Sequence, residues 1–94
     1  MSVSKTAIGV TFEVVYLARL REAFGAAKET VTLPAETSDV DGLITALRGR
    51  GGAWAAELAP QRPVRVAINH ALAVSAAAIH DGDEVALFPP VTGG

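Results

Sequence analysis

Residues 81–94 read DGDEVALFPPVTGG, and they divide into a turn, a strand and an extended tail. The turn lies at 81–83, where glycine tolerates a positive φ and an aspartate on either side can bond its own backbone. The strand covers 84–88, whose side chains alternate between two faces. The tail covers 89–94 and begins with two prolines, which have no N–H to donate to a sheet. This order predicts a final strand that leads straight into an exposed end.

The two faces of this strand are expected to make different contacts. Val85 and Leu87 lie on one face, and the opposite face carries Glu84, Ala86 and Phe88. If a helix covers the Val85 face, Phe88 projects from the open face beside the start of the tail. An exposed aromatic residue there is typical of an anchor for a binding partner, and we expect Phe88 to have that role. The alternative is a core residue at the rim of the sheet.

The tail from Pro89 to Gly94 is stiff at its base and narrow at its tip. Two successive prolines hold the following chain extended, and six extended residues reach roughly 20 Å. Gly93 and Gly94 have no side chains that would obstruct entry into a channel. With glycine at about 7% of residues, about one chain in two hundred ends in two glycines by chance, so the dipeptide alone is a weak signal. Its position after a strand and two prolines favours a tail that enters a partner's active site.

The segment 81–94 resembles the C-terminus of the small subunits of molybdopterin synthase, a family of ubiquitin-like sulfur carriers. Val66-Ala67-Ile68-Asn69 and the run from Leu17 to Glu22 support the resemblance, which spans about Val10 to Gly94. The sulfur carriers of thiamine synthesis are similar in fold and also end in Gly-Gly. The Phe-Pro-Pro-Val-Thr run is more like the molybdopterin group.

The resemblance implies that a partner enzyme uses ATP and magnesium to adenylate the carboxylate of Gly94, and that sulfur from a donor then replaces AMP. The thiocarboxylate would pass its sulfur to a cyclic pterin precursor in a pocket of the large subunit, in a complex of two small and two large subunits. The chain itself is then expected to bind no cofactor and to act only within that complex. The residues expected to contact the partner, besides Gly94, are Phe88, Pro89, Pro90, Val91, Thr92 and Gly93.

The composition limits the classes of protein to which the chain can belong. Ninety-four residues suit one domain, which we divide into a flexible extension at 1–9, a folded region at 10–88 and a functional tail at 89–94. The net charge of −2 argues against a nucleic-acid-binding protein. The sequence has no cysteine, so only the terminal carboxylate can hold transferable sulfur. No stretch is apolar enough for a signal peptide or a membrane helix, and we expect a cytoplasmic protein without membrane contacts.

The pattern of the chain predicts an α+β fold of the β-grasp type, with a mixed sheet of about five strands around one main helix. The predicted strands are 10–17, 28–33, 64–68, 71–74 and 84–88. In the first strand, one face is apolar throughout and the other becomes apolar toward its end, which favours a central strand covered on one side. The last strand is expected to run parallel to the first.

The main helix is predicted to begin at Ser38, as the N-cap, with Asp41 three residues later as in a capping box. Glycines from Gly49 onward end it. Its apolar stripe consists of Val40, Leu43, Ile44 and Leu47. Short helices are predicted at 18–24 and 53–58, the second placing Trp54 and Leu58 against the sheet, and a single helical turn is predicted at 76–79.

Other patterns that could carry chemistry are weak. Residues 48–52, Arg-Gly-Arg-Gly-Gly, are similar to an RNA-binding element, but helix-ending glycines are the favoured explanation. His70 and His80 have no second ligand at metal-site spacing. Residues 81–84 lack the complete pattern of a calcium loop, which favours a simple turn. No motif of a nucleophilic enzyme surrounds the serines.

Two alternative functions stay open at this stage. One is a related sulfur carrier that serves thiamine, cysteine or tRNA thiolation. The other is a ubiquitin-like modifier or interaction domain, whose tail forms isopeptide bonds or has no chemistry.

Overall fold

A computed structural model describes residues 9–90 of the chain. Within that range the elements are, in order, β1 (Gly9–Tyr16), α1 (Arg19–Phe24), β2 (Lys28–Pro34), a 3₁₀ turn (Ala35–Thr37), α2 (Val40–Arg48), α3 (Gly52–Glu57), β3 (Arg65–Ile68), β4 (Ala71–Leu72) and β5 (Glu84–Phe88). The predicted flexible extension falls on residues 1–9, of which 1–8 lie outside the described residues. Gly9 already belongs to β1.

The strands form one mixed sheet in the order β2-β1-β5-β3-β4. β1 and β5 are parallel neighbours at its centre, with Val14 opposite Val85. The other pairs are antiparallel. This arrangement confirms the predicted β-grasp fold and the parallel pairing of the first and last strands.

The hydrophobic core lies between one face of the sheet and the helices. Alternation along β1 and β5 buries Val14, Tyr16, Val85 and Leu87 completely. From the helical layer, the predicted stripe of α2 contributes Val40, Leu43 and Leu47 as buried residues, and Ile44 packs beside them. The helices cover only this face, so the opposite face of the sheet is open, as the pattern of the first strand predicts.

The predicted N-cap of α2 was wrong by one residue. Asp39, not Ser38, caps the helix, and its Oδ1 accepts a hydrogen bond of 2.6 Å from the N–H of Gly42. Ser38 is buried, and its hydroxyl donates to the carbonyl of Ile79 at 2.6 Å. Both residues are good caps by type, and the long-range partner of Ser38 decides between them.

The predicted helical turn at 76–79 was also wrong. The segment forms a turn and an isolated bridge between Ala78 and Asp39. The carbonyls of Ser75 and Ala77 accept from the N–H groups of Asp41 and Val40, at 3.0 and 3.1 Å. The first N–H groups of a helix need such outside acceptors, and the non-helical backbone from Ser75 to Ala78 supplies them.

The β3–β4 hairpin is shorter than the sequence predicts. Asn69 and His70 both have positive φ, 50° and 74°, which is the geometry of a two-residue hairpin turn. β4 then contains only Ala71 and Leu72, whereas a strand to Val74 was expected. Beyond Ala73 the chain leaves the sheet and crosses to the start of α2.

An aromatic cluster, formed by Tyr16, Phe24 and Trp54, joins β1, α1 and α3. The rings of Phe24 and Trp54 stack with centroids 3.8 Å apart, and Tyr16 meets both edge-on. Trp54 thus contacts the sheet through Tyr16, as predicted, and Leu58 is buried. The guanidinium of Arg50 lies over the Trp54 ring at 4.4 Å, which is a cation–π contact.

Glu29 connects this cluster to β2. Its carboxylate accepts a hydrogen bond of 2.5 Å from the Tyr16 hydroxyl and two bonds, of 2.8 and 3.0 Å, from Arg50. The hydrogen bonds from Arg50 lower the pKa of Glu29. Burial, with the bond to Glu29, raises the pKa of Tyr16. Arg50, which belongs to the Arg-Gly stretch after α2, therefore has a structural role.

Leu43→Ala is expected to lower the free energy of unfolding by about 2–5 kcal/mol, because Leu43 is fully buried and its truncation leaves a cavity under the sheet. The matched control is Leu72→Ala, at a leucine that is 69% exposed. This variant should change the free energy of unfolding by about 0.5 kcal/mol or less. Urea denaturation followed by Trp54 fluorescence measures both variants. Equal costs would contradict the packing of α2 described above.

Glu29→Gln is expected to lower the free energy of unfolding by about 1 kcal/mol near neutral pH, because it weakens the bonds to Arg50. The folded-state pKa of Glu29 lies below the ordinary value of 4.5, so its stabilisation is present above that value and is lost as the pH falls through the folded pKa. The difference between wild type and variant should therefore shrink in acid. Urea denaturation at several pH values tests this, with Glu36→Gln at an exposed position as control. A difference that stays constant from neutral pH into acid would refute the assignment.

Candidate functional site

The tail begins at the centre of the sheet. β5 runs beside β1 with Leu87 opposite Tyr16, and the N–H of Leu17 donates to the carbonyl of Leu87 at 3.0 Å. Phe88 ends the strand, and Pro89 follows without an N–H to continue the ladder. The chain therefore leaves the sheet beside the connection from β1 to α1.

Pro89 and Pro90 are both half-buried and line one side of a cleft of about 160 Å³, the tail-root cleft. Leu20 of α1 and the segment from Arg62 to Val64 line this cleft. Seating two prolines against the domain leaves the base of the tail little freedom, so less entropy remains to be lost when the tip is ordered in a partner.

Charged side chains surround the tail-root cleft. Glu57 lies between two arginines, with its Oε2 3.2 Å from Arg19 and its Oε1 3.4 Å from Arg62. Both arginines are substantially exposed, and the glutamate is mostly covered. The base of the tail is therefore flanked by a group that carries a net positive charge.

The open face of the sheet carries an apolar patch next to the tail. A shallow depression of about 300 Å³ is lined there by Val15, Leu17, Ala67, Ala86 and Phe88, with His70 and Glu84 at its border. Leu17 is 41% exposed. Apolar side chains from three strands thus form one surface at the point where the tail begins.

Phe88 lies where the sequence predicts. It is half-buried, on the face opposite the buried Val85 and Leu87, and it pairs in register with Arg65 of β3. This placement confirms its position beside the tail, while its anchoring role stays a prediction.

The polar border of the open face lies at the far end of the patch. The Nε2 of His70 is 3.3 Å from Glu84 Oε1, and the histidine side chain is 86% exposed. The pair therefore faces solvent at the hairpin turn, away from the tail root.

The carboxylates in the turn before β5 accept hydrogen bonds from neighbouring residues of the same domain. Asp81 accepts a hydrogen bond of 2.7 Å from the N–H of Thr11. Asp83 accepts from the N–H of His80 at 2.8 Å and from the amide of Asn69 at 2.9 Å, and these bonds lower the pKa of its carboxyl. Both aspartates thus fix the start of β5 against neighbouring strands, in agreement with the predicted turn. Within residues 9–90, no group of three or more acidic, histidine or cysteine side chains could hold a metal ion.

Sequence reasoning identified one residue of the patch and missed its neighbours. The sequence predicts Val15 and Leu17 on the second face of β1 but assigns them no role. The apolar end of that face is the signal that could have found them. No local sequence pattern pointed to Arg19 and Arg62, because long-range packing brings them to Glu57.

Four predicted site residues, Val91, Thr92, Gly93 and Gly94, lie outside the described residues. For the part that the structure describes, no helix is long and apolar enough to cross a membrane.

Comparison with known proteins gives a consistent result. The molybdopterin synthase sulfur carrier subunit of Haemophilus influenzae is 35% identical over 81 residues, which cover 86% of this chain and 96% of that protein. Among solved structures, a putative molybdopterin converting factor subunit 1 from Pyrococcus furiosus is 28% identical with a TM-score of 0.72, covering 87% of this chain and 99% of that one. Small archaeal modifier protein 1 of Haloferax volcanii is also 28% identical, with a TM-score of 0.71 and the same coverage.

A family model described as the ThiS family matches residues 14–94. The match includes all five strands except the start of β1, and it continues through the tail-root cleft to the two final glycines. The chain therefore belongs to the ThiS family.

Proposed function

We propose that this protein is the sulfur carrier subunit of a molybdopterin synthase and holds sulfur as a thiocarboxylate on Gly94. The observation that carries the proposal is the placement of the tail's base: Pro89 and Pro90 follow a central strand, line a cleft with α1 and α3, and adjoin an apolar open face. The name of the Haemophilus relative supports the same function.

The chemistry begins with a carboxylate, which is a poor electrophile at neutral pH. A partner enzyme, with ATP and magnesium, converts the Gly94 carboxylate to an acyl-adenylate and releases pyrophosphate. Hydrosulfide supplied by a sulfur donor then attacks the acyl carbon, the bond to AMP breaks, and the thiocarboxylate remains on Gly94. Because Gly93 and Gly94 have no side chains, the acyl carbon is accessible to these partners.

The sequence leaves sulfur no other position on this chain. It contains no cysteine, so no persulfide can form, and its single methionine cannot transfer sulfur. The lack of cysteine also means that no internal thiol can attack the activated terminus. A cytoplasmic location follows from this proposal, because the activating step consumes ATP.

The open face is the surface that we assign to the large subunit. Phe88 is its anchor, and Leu17 and Val15 extend the apolar contact. The arginines at the tail-root cleft supply a charged border to this contact. We propose an assembly of two small and two large subunits, in which each tail delivers one sulfur to the cyclic pterin precursor.

A second candidate function is supported by the likeness to the Haloferax modifier protein. In that case the activated Gly94 would form an isopeptide bond with a lysine of another protein. Activation is common to both functions, and the nucleophile that follows distinguishes them. The family match equally leaves thiamine, cysteine or tRNA thiolation as the pathway that receives the sulfur.

Phe88→Ala is expected to weaken binding to the large subunit by tenfold or more, at least about 1.4 kcal/mol, because a half-buried aromatic anchor beside the tail is lost. The isolated variant should stay folded. Titration calorimetry and thermal melting measure the two properties. Thr30→Ala, at an exposed position of β2, is the matched control and should leave both unchanged. Unaltered affinity and melting in Phe88→Ala would remove its anchoring role.

Deletion of Gly94 should almost abolish sulfur transfer while leaving the fold and docking intact. The carboxylate would be set back by roughly 3.3 Å. A pre-organised site can lose about a hundredfold in rate for a displacement of about 1 Å. The variant is incubated with the adenylating enzyme, ATP and a sulfur donor, and intact mass detects the thiocarboxylate before pterin conversion is assayed.

A variant with one added glycine serves as control for this deletion, because it displaces the carboxylate by the same amount in the outward direction. It should fail in the same assay. Sulfur transfer at the wild-type rate by the variant that lacks Gly94 would show that the terminal carboxylate does not carry the sulfur. Isopeptide products without thiocarboxylate would favour the modifier function instead.

A further inference from the structure

A second surface lies on the helical side of the molecule, away from the open face. The α2–β3 groove has a volume of about 580 Å³ and runs between α2, the segment before β3 and the chain that follows β4. The residues that matter for its properties are Ile44, Arg48, Arg62, Val64, Leu72 and Val74. None of these six lines the open face.

The groove exists because β4 covers only part of β3. Strand pairing joins Ala67 and Ile68 to β4, and the N–H of Ala73 donates to the carbonyl of Val66 at 2.9 Å. The chain then turns away to bond the start of α2. Val64 lies just before β3, two residues ahead of Val66 and beyond the end of β4, so it continues the line of this edge.

The edge of β3 at Val64 is therefore available for pairing. Among residues 9–90, no hydrogen bond uses the backbone groups of Val64. An unpaired strand edge is a template on which another extended chain can add. The helix α2 forms the opposite wall, so a chain added there would be enclosed on two sides.

The rim of the groove is apolar and exposed. Leu72 and Val74 are 69% and 72% exposed, more than Leu17 on the open face. Partly buried Ile44 continues this apolar surface into the groove. Single exposed apolar residues are common, but two of them beside an unpaired strand edge form a surface suited to another apolar side chain.

The charge of the groove differs from that of the chain. Three arginines, Arg48, Arg62 and Arg65, line the groove with one acidic residue, Asp41, although the whole chain has a net charge of −2. Arg62 also pairs with Glu57 at 3.4 Å, so the excess positive charge comes from Arg48 and Arg65. Arg48 uses its Nε to bond the carbonyl of Leu58 at 2.8 Å, which fixes the side chain and leaves its terminal nitrogens for other partners. The groove is thus complementary to negative charge.

We propose that the α2–β3 groove binds an extended segment of another protein, with apolar residues at its centre and acidic residues at its flanks. The segment adds to β3 beside Val64, places its apolar side chains against Leu72 and Val74, and pairs its carboxylates with the arginines. Residues 1–8 of this chain, MSVSKTAI, contain a lysine and no acidic residue, so their charge does not suit the groove. The proposal is independent of sulfur transfer.

The test uses the full chain, immobilised, and two pools of short peptides. Both pools vary a central run of valine, isoleucine and leucine, flanked by aspartate and glutamate in one pool and by lysine in the other. Peptides from the acidic pool should be retained and should bind at least about tenfold more tightly than their lysine counterparts, with affinity falling as salt is raised. Failure of the acidic pool to exceed the lysine pool overturns the proposal.

Matched variants then locate the binding. Val74→Glu should weaken the best acidic peptide about tenfold or more, since it adds a like charge at an exposed position and disturbs no buried contact. Leu17→Glu makes the same change on the open face and should leave peptide affinity unchanged. Loss of binding in Leu17→Glu but not in Val74→Glu would place the peptide on the wrong surface and refute the proposal.

Two further measurements distinguish other occupants. If peptides bind only after residues 1–8 are deleted, the groove belongs to the N-terminal segment. If the chain forms dimers that Val74→Glu dissociates and no peptide binds, the occupant is a second copy. Either result overturns the proposal. Val74→Glu should support sulfur transfer at the wild-type rate, because Val74 lies outside the surface assigned to the large subunit.

Discussion

The parallel pairing of β1 with β5 is the constraint on which the rest of this structure depends. A parallel pair cannot be joined by a short turn, so everything between Tyr16 and Glu84 serves as one long crossover. Val14 of β1 and Val85 of β5 are neighbours at the centre of this strand pair, and both are fully buried. The helices pack on the face of the sheet to which these two side chains point. Because the helices cover that face, the opposite face of the sheet stays open. The end of β5 is then placed beside the end of β1, which brings the tail, Leu17 and Phe88 together.

The aromatic cluster secures the crossover at the end from which the tail leaves. Tyr16 closes β1, and its ring contacts Phe24 of α1 and Trp54 of α3. Glu29 ties this group to β2 through Tyr16 and Arg50. α1 and α3 in turn supply Leu20 and Glu57 to the tail-root cleft, so packing in the core determines where the two prolines are seated. The hydrogen bonds of Glu29 with Tyr16 and Arg50 thereby contribute to the position of Pro89 and Pro90.

Sequence patterns predicted the features that repeat locally, and they failed where a distant partner decides. Alternation in β1 and β5 and the stripe from Val40 to Leu47 each persist over several residues, so these two strands, the body of the main helix and the position of Phe88 were predicted correctly. Ser38 and Asp39 are both good caps by type. The Ser38 hydroxyl donates instead to the carbonyl of Ile79, forty-one residues away, so Asp39 caps the helix. The segment 76–79 has helical composition, but its neighbouring carbonyls serve α2 instead. The basic group at the tail root is equally a product of long-range packing and has no local pattern.

The same topology produces both of the surfaces that we propose for partners. The order β2-β1-β5-β3-β4 places a two-residue strand at one edge, and this strand is too short to cover β3. An uncovered edge normally carries a risk of unwanted pairing, and here arginines border it, which disfavours basic chains and admits acidic ones. A partner held there would leave Phe88 exposed, because Phe88 lies on the open face, across the sheet from α2. The groove adjoins the tail-root cleft, with which it shares Arg62 and Val64. A carrier whose tail must pass from an activating enzyme to an acceptor needs its tail surface free at each exchange. Attachment through the helical side meets that requirement without competing for the open face.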